Sequence, residues 1–265
     1  MAIFDEANTT EQMVIDTLVK NGWKYIPAAQ LDRNYKDVMV ESMVKEALIR
    51  LNPVIAENPD RADEVIYKLR NVILSARPHD LVAQNEVFKK LVFEENSFPF
   101  GENGEHVTIH IFGTETDGTL DQNECVVTNQ WIFPRVDGGC RFDIVLLING
   151  VPVSVGELKT PVRSSITWLD GANDIADYER MVPQMFVPSI FNFASEGKCY
   201  RYGSVNMPCT MWGPWHTPDH KDEGTLEDVR ISIADMITPA KVMDIFRFFT
   251  LYSTDKRNRK IKIIC

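Results

Sequence analysis

Residues 141–161 read RFDIVLLINGVPVSVGELKTP, and this stretch decides the fold. Asn149-Gly150 stands between two apolar runs, Arg141–Ile148 and Val151–Leu158, and Asn-Gly between such runs is the strongest short-range signal for a β-hairpin. Ile144, Val145, Leu146 and Leu147 on one strand, with Val153, Val155 and Leu158 on the other, leave no polar face, as in central strands covered on both sides. Charges placed there need a reason, because burying an unpaired charge is costly. Asp143 lies near the start of the first strand, while Glu157 and Lys159 lie two apart on the second and share a face. A plain two-residue loop at Asn149-Gly150 would pair Asp143 with Gly156 and turn Glu157 away. A three-residue loop, or a bulge at Gly156, would set Asp143 across from Glu157. We expect one of the latter two, since glycine accommodates the positive φ of a bulge.

Working outward, Glu124–Phe133 and the alternating Val107, Ile109 and Ile111 read as further strands, and short strands follow near Ser189–Ala194 and Cys199–Val205. A helix is expected around Gly171–Met181. The amino-terminal part reads as helical. A capping-box spacing at Thr9-Thr10-Glu11-Gln12 opens a helix that stops at Asn21-Gly22, Val38–Leu51 keeps helical spacing until Asn52-Pro53, and a third helix runs from Arg61 to Leu74. Thr238-Pro239 opens a last helix with Val242, Ile245, Phe246 and Phe249 on its apolar face. The expected class is α/β, a mixed central β-sheet flanked by helices. Residues 1–95 would be a helical part, 96–225 the core, and 226–265 a carboxy-terminal helix and connector.

Composition narrows the function. The 265 residues carry 28 Lys+Arg against 38 Asp+Glu, a formal charge of −10, opposite in sign to a free-standing nucleic-acid binder. Neither a G-x-x-x-x-G-K-[ST] nor a G-x-G-x-x-G motif occurs, which argues against nucleotide chemistry within this chain. The five cysteines are scattered and never fall in C-x-x-C, against a disulfide scaffold or thiolate zinc site. No apolar run is long enough to span a bilayer and no signal peptide opens the chain, so a cytoplasmic location without membrane contact is expected. Lys256-Arg257-Asn258-Arg259-Lys260-Ile261-Lys262 reads as a solvated connector, with contact to DNA as the alternative, and the apolar Ile263-Ile264-Cys265 after it reads as cut from a longer chain.

Two carboxylates converging from neighbouring strands make a hard oxygen site suited to Mg²⁺, which keeps water and phosphate oxygens in its other positions. Asp143 and Glu157 would hold the ion, and Lys159 would offset charge on a phosphate in the transition state, giving phosphodiester hydrolysis. Two other readings fit the bare residues: a glycosidase-like carboxylate pair, and a non-catalytic assembly module whose charges specify strand register.

The ordered set Asn129-Gln130, Arg141-Phe142-Asp143-Ile144-Val145-Leu146, Asn149-Gly150-Val151-Pro152 and Gly156-Glu157-Leu158-Lys159-Thr160-Pro161 resembles a known family. It is that of the amino-terminal nuclease domain of the motor (R) subunit of type I restriction–modification enzymes, within the PD-(D/E)xK nucleases. The likeness extends to Glu41-Ser42, Glu46-Ala47-Leu48 and Leu51-Asn52-Pro53 upstream, and to Pro183-Gln184-Met185-Phe186, Gly197 and Gly203-Ser204 downstream. The resemblance implies a restriction-endonuclease-like core in which Asp143 and Glu157 are metal ligands and Lys159 the catalytic lysine. The Leu158 carbonyl and Glu11 are further candidate ligands. It also implies cleavage of double-stranded DNA after ATP-driven translocation by motor domains outside this chain, in a complex with modification and specificity subunits.

Two positions depart from the family pattern. Phe142 stands where the family usually has proline, and Asp174-Ile175-Ala176-Asp177-Tyr178 stands where it has Gln-x-x-x-Tyr. Tyr178 fits, but Asp174 can only accept hydrogen bonds where glutamine also donates. Asp174 is expected as a supporting metal or water ligand. Arg141, Arg163 and Arg180 flank the site as candidate phosphate contacts. His216 and His220 lie in a proline-containing turn, and Trp212 and Trp215 read as packing residues.

Overall fold

In the computed structural model, which describes residues 6–135, 138–160 and 165–265, Asn149 and Gly150 both take positive φ, 52° and 79°. That is the backbone of a tight two-residue hairpin turn. The turn is buried: the Asn149 side chain accepts from the Glu124 N–H at 2.8 Å and donates to the Ile111 carbonyl at 3.0 Å. A Cβ on Gly150 would lie 2.5 Å from the Val40 carbonyl, so only glycine lets the turn approach the helix that starts there.

In chain order the elements are α1 (Glu6–Lys20), β1 (Lys24–Tyr25), α2 (Glu41–Leu51), α3 (Pro53–Glu57), α4 (Arg61–Ser75), α5 (Leu81–Phe93), β2 (Ser97–Phe98), β3 (Val107–Thr108), β4 (Cys125–Arg135), β5 (Gly138–Ile148), β6 (Val151–Leu158), α6 (Trp168–Met181), β7 (Asn192–Ser195), β8 (Tyr200–Gly203), α7 (Leu226–Met236), α8 (Pro239–Arg247), β9 (Thr250–Thr254) and β10 (Lys260–Ile264). Among the described residues, six strands form one mixed sheet in the order β1-β4-β5-β6-β7-β8. β1 runs parallel to β4 and β6 parallel to β7, and the other pairs are antiparallel. The expected α/β class with helices flanking a mixed sheet is what the chain adopts. β5 and β6 are central, and Ile144 to Ile148 are fully buried together with Val151 and Val153. α6 packs on β6 and β7, and α1 packs on β4 and β6. No helix among the described residues is long and apolar enough to cross a membrane.

Several local expectations are corrected. The first helix is already formed at Glu6, so Thr10 lies inside it as a fully buried residue and not at its cap. The second begins at Glu41, after a bent lead-in at Val38–Val40 that is buried and whose Val40 N–H donates to the Gly150 carbonyl. Pro53 ends that helix but occupies the first turn of α3, where its missing N–H has no cost. The alternation at Val107, Ile109 and Ile111 yields only a two-residue strand, because Ile109 and Ile111 leave the ladder to enter the core. The helices α5 and α7 were not read from the sequence. Phe249 lies past α8 and is exposed. The basic stretch is exposed from Lys256 to Ile261, but its end forms β10, paired with β9, and Lys262 is buried with its Nζ donating to the Ser189 carbonyl at 2.6 Å.

Candidate active site

The β5–β6 ladder pairs Ile148 with Val151 and Leu147 with Pro152, then slips by one residue so that Leu146 meets Ser154, Val145 meets Val155 and Ile144 meets Gly156. The next position therefore sets Asp143 opposite Glu157. The expected bulge exists, but at Val153 and not at Gly156. Val153 is left out of the ladder, and its carbonyl instead accepts the Ile190 N–H at 2.7 Å where the chain turns into β7. Gly156 serves packing instead. A Cβ there would lie 2.2 Å from the Phe193 ring, so glycine lets the ring lie over β6 beside Glu157. Across the hairpin the Leu158 N–H donates to Asp143 Oδ2 at 3.0 Å, which fixes that carboxylate.

Glu157 is only 4% exposed, and its Oε2 has no hydrogen-bond partner among the described residues. Burial, followed by the nearby Asp143 charge, pushes its carboxyl up to about 8, with Lys159 pulling the other way. The Lys159 ammonium lies 3.4 Å from Glu157 Oε1 and makes a closer ion pair with Asp174 Oδ2. Burial alone would lower the lysine pKa, but the bond to Asp174 and the charges of Glu157 and Asp174 outweigh it and raise it. Lys159 is therefore an ammonium group between two acids.

Asp174 and Tyr178 come from α6, one turn apart on the same face. Thr167 and Asp170 close a capping box at its start, and Ala172 and Ile175 anchor it in the core. A Cβ on Gly171 would sit 3.2 Å from both Ala194 Cβ and the Glu157 carbonyl, so the helix lies directly on the strand that carries Glu157. The Tyr178 hydroxyl donates to the Arg141 carbonyl at 3.3 Å, and its ring meets the buried Phe142 edge to face at 5.1 Å. Phe142, in place of the family's proline, thus packs the helix onto the sheet. Burial and the three neighbouring acids raise the Tyr178 pKa, which keeps it a neutral donor.

On the other side of β5 the ladder pairs Asn129 with Ile144 and Trp131 with Phe142. Gln130, between them and across from Asp143, has a φ of 53°, an uncommon backbone for a non-glycine residue inside a strand. Asn129 Nδ2 and Gln130 Nε2 donate to the two oxygens of Glu11, at 2.6 and 3.0 Å. Glu11 is half-buried and lies beyond the first turn of α1. These amides had no assigned role in the sequence; an acid on α1 facing two consecutive amides on β4 becomes visible only once the elements are packed. Glu179 was also missed. It is a buried carboxylate on the apolar stripe of α6, held by the Asn206 N–H at 3.0 Å and by Asn192 at 3.3 Å. A charge four residues after Ile175 was the available signal.

Arg141 is exposed at the rim, Arg180 is paired with Asp177 on its own helix, and Arg163 lies outside the described residues. Trp212 is buried and Trp215 donates to Asp235 at 2.8 Å, both as packing residues. His216 and His220 pair separately with Glu223 and Asp228. Among the described residues no three of His, Cys, Asp and Glu cluster as a metal group. Asp143 and Glu157 nonetheless fit a divalent ion: both offer hard oxygens, Glu157 Oε2 is buried with no partner among the described residues, and Mg²⁺ needs only one or two carboxylates.

The family model described as type I restriction enzyme R protein N terminus matches residues 3–208. The type I restriction enzyme HindI endonuclease subunit of Haemophilus influenzae is 26% identical over 272 residues, covering 97% of this chain and 25% of that protein. A Methanocaldococcus jannaschii protein described as the MjaIXP endonuclease subunit is 23% identical over 231 residues, covering 84% of this chain and 21% of its own length. The chain thus spans about a quarter of the length of these relatives.

Proposed function

The chain belongs to the family of type I restriction enzyme R protein N termini, and from that premise we propose that it is an endonuclease part of the PD-(D/E)xK kind, hydrolysing phosphodiester bonds of double-stranded DNA. The observation that carries the reading is the buried Glu157, its Oε2 without a partner among the described residues, placed across the ladder from Asp143 and beside the Lys159 ammonium. An apolar sheet centre tolerates such a group of charges only with a compensating ligand or a chemical use.

Asp143 and Glu157 would hold Mg²⁺, with the Leu158 carbonyl as a backbone donor between them. When bound, the ion supplies Lewis-acid polarisation of the phosphate and a more acidic water. Lys159 places a positive charge where the phosphate oxygens gain negative charge. Tyr178, kept neutral, donates at the edge of the site. Glu11, whose oxygens accept from Asn129 and Gln130, would fix β4 beside Asp143 from α1, with lone pairs left to serve as a further ligand. Arg141, Arg180 and Arg163 would meet the DNA backbone.

Residues 96–225 form the cutting core in this reading, with 1–95 and 226–265 as its helical part and its connection onward. ATP-driven translocation belongs to motor domains outside the chain, and modification and specificity subunits complete the complex. Tethering to a motor raises the local DNA concentration, so a charge of −10 is compatible with cutting. The test is cleavage by the complete complex carrying Asp143→Ala, Glu157→Ala or Lys159→Ala. Each is expected to abolish cutting while ATP hydrolysis continues; undiminished cutting by all three overturns the assignment.

A further inference from the structure

We propose that Asp174 is a positioning residue that holds the Lys159 ammonium at the acid pair through an ion pair, and that it is not a metal ligand. The inference rests on the nuclease reading and deepens it. Lys159 has two acidic neighbours, and the closer is Asp174, not Glu157, which stands 3.4 Å away. Glu157 keeps its other oxygen free of any partner among the described residues. The contact that orients the lysine therefore comes from helix α6, while the strand acid stays open for another use.

The helix is built to deliver that contact at a set distance. Gly171 lets its backbone rest on the Glu157 carbonyl, Ile175 is fully buried beneath it, and Tyr178 ties its next turn to the Arg141 carbonyl. Asp174 projects from the same face between these anchors, and its side chain is 43% exposed. It adds little to the core, so its removal tests orientation more than folding.

Electrostatics gives the pairing its purpose. A divalent cation gripped by Asp143 and Glu157 would repel an ammonium a few ångströms away, and Glu157, its charge engaged, would no longer retain the lysine. A second carboxylate on a separate element keeps the ammonium in place at that moment. A glutamine at position 174 would offer a carbonyl oxygen without the countercharge, so the acid makes the lysine less dependent on Glu157 for its placement.

The experiment uses the complete restriction complex carrying Asp174→Asn, Asp174→Glu, Lys159→Ala and the Asp174→Asn/Lys159→Ala pair, each first checked for an unchanged melting temperature. Single-turnover cutting by Asp174→Asn should slow roughly ten- to a hundred-fold, the range for losing one charge-assisted hydrogen bond, with no change in the DNA concentration for half-maximal rate. Asp174→Glu should recover part of the rate, and the double variant should be no slower than Lys159→Ala alone. Calorimetric Ca²⁺ affinity should fall less than about tenfold in Asp174→Asn, as expected for a neighbouring but non-ligating charge, while Asp143→Asn abolishes binding. Full-rate cutting by Asp174→Asn, an additive double variant, or Ca²⁺ binding lost as in Asp143→Asn each overturns the proposal while leaving the nuclease reading intact. Full-rate cutting by Lys159→Ala overturns the proposal as well, and the nuclease reading falls with it only if Asp143→Ala and Glu157→Ala also cut undiminished.

Discussion

Gln130 and Glu11, 119 residues apart, meet at 3.0 Å between amide and carboxylate, and the contact ties α1 to the strand position that faces Asp143. Asn129 binds the other Glu11 oxygen at 2.6 Å, so one acid restrains two consecutive residues of β4. Gln130 holds a left-handed backbone there, and such strain persists only where surrounding contacts over-determine it.

Glu11→Ala removes both acceptors. Hydrogen bonds to a charged group contribute about 1.5–3 kcal/mol each when buried, and this pair is half-buried, so a loss of about 2 kcal/mol is expected in urea unfolding. Glu11→Gln should lose about half as much. An unchanged midpoint for Glu11→Ala would show that the clamp carries no load.

Gly156→Ala places a methyl group inside the Phe193 ring, 2.2 Å from its nearest atom. Overpacking of this kind costs about 1–3 kcal/mol. Because β6 must shift to relieve it, cutting should fall together with stability. Adding Phe193→Leu should restore both, and stability recovered without cutting would separate the strand's position from the chemistry.

Glu179 supplies a stability dependence on pH. Burial raises its carboxyl from 4.5 to about 8, with the Asn206 N–H and the Lys262 charge pulling it down. The folded state therefore binds the proton more tightly than the unfolded chain. The stability this confers is complete below pH 4.5 and is lost as pH rises through 8. Glu179→Gln lacks that loss, so its unfolding free energy relative to the parent should improve steadily between pH 5 and pH 8. Parallel curves over that range would refute the shift.

Cation binding at Glu157 should compete with protons. With the carboxyl raised to about 8, ion binding below that pH must expel a proton, so Ca²⁺ affinity should rise by up to about tenfold per pH unit from 6 to 7 and level off above 8. Calorimetry in two buffers of different ionisation enthalpy would count the proton released. Glu157→Gln should remove both the proton release and this pH slope.

Deleting Val153 should leave Asp143 facing Glu157, because the residue lies outside the ladder and Ser154 can keep Leu146 as its partner. Such a variant is expected to cut DNA at a reduced but measurable rate. It loses the acceptor for the Ile190 N–H, at a stability cost of about 1–3 kcal/mol. Inserting one alanine after Val153 without a second bulge should turn Glu157 to the opposite face and abolish cutting in a folded protein. Cutting by the insertion variant would refute the parity argument.

The hairpin was legible because Asn-Gly between apolar runs leaves the backbone few alternatives, but the sequence left a three-residue loop open, and the two-residue turn was settled only by the ladder. The need for one surplus residue was legible too, from the parity of Asp143 and Glu157. Its place was not: glycine marked Gly156, but an unpaired carbonyl must find a donor, and that donor is Ile190, from a segment more than thirty residues further along. The same holds for Asp174. Its identity was visible and its partner was not, since the ion pair with Lys159 depends on how α6 lies on β6. Thr9-Thr10-Glu11 misled because a capping pattern is local, whereas the buried Thr10 and the Asn129–Gln130 amides show that the packing of α1 on the sheet decides the use of those residues.

By taking up its surplus at Val153, close to the turn, β6 runs without interruption from Ser154 to Leu158. An irregularity at Gly156 would have put a loose joint next to the acid. As built, the regular rungs Leu146–Ser154, Val145–Val155 and Ile144–Gly156 stand between the bulge and the carboxylates. The tip is pinned in its own right, by the Asn149 bonds to Glu124 and Ile111 and by the close approach of Gly150 to Val40, so the ribbon's phase is set from both ends.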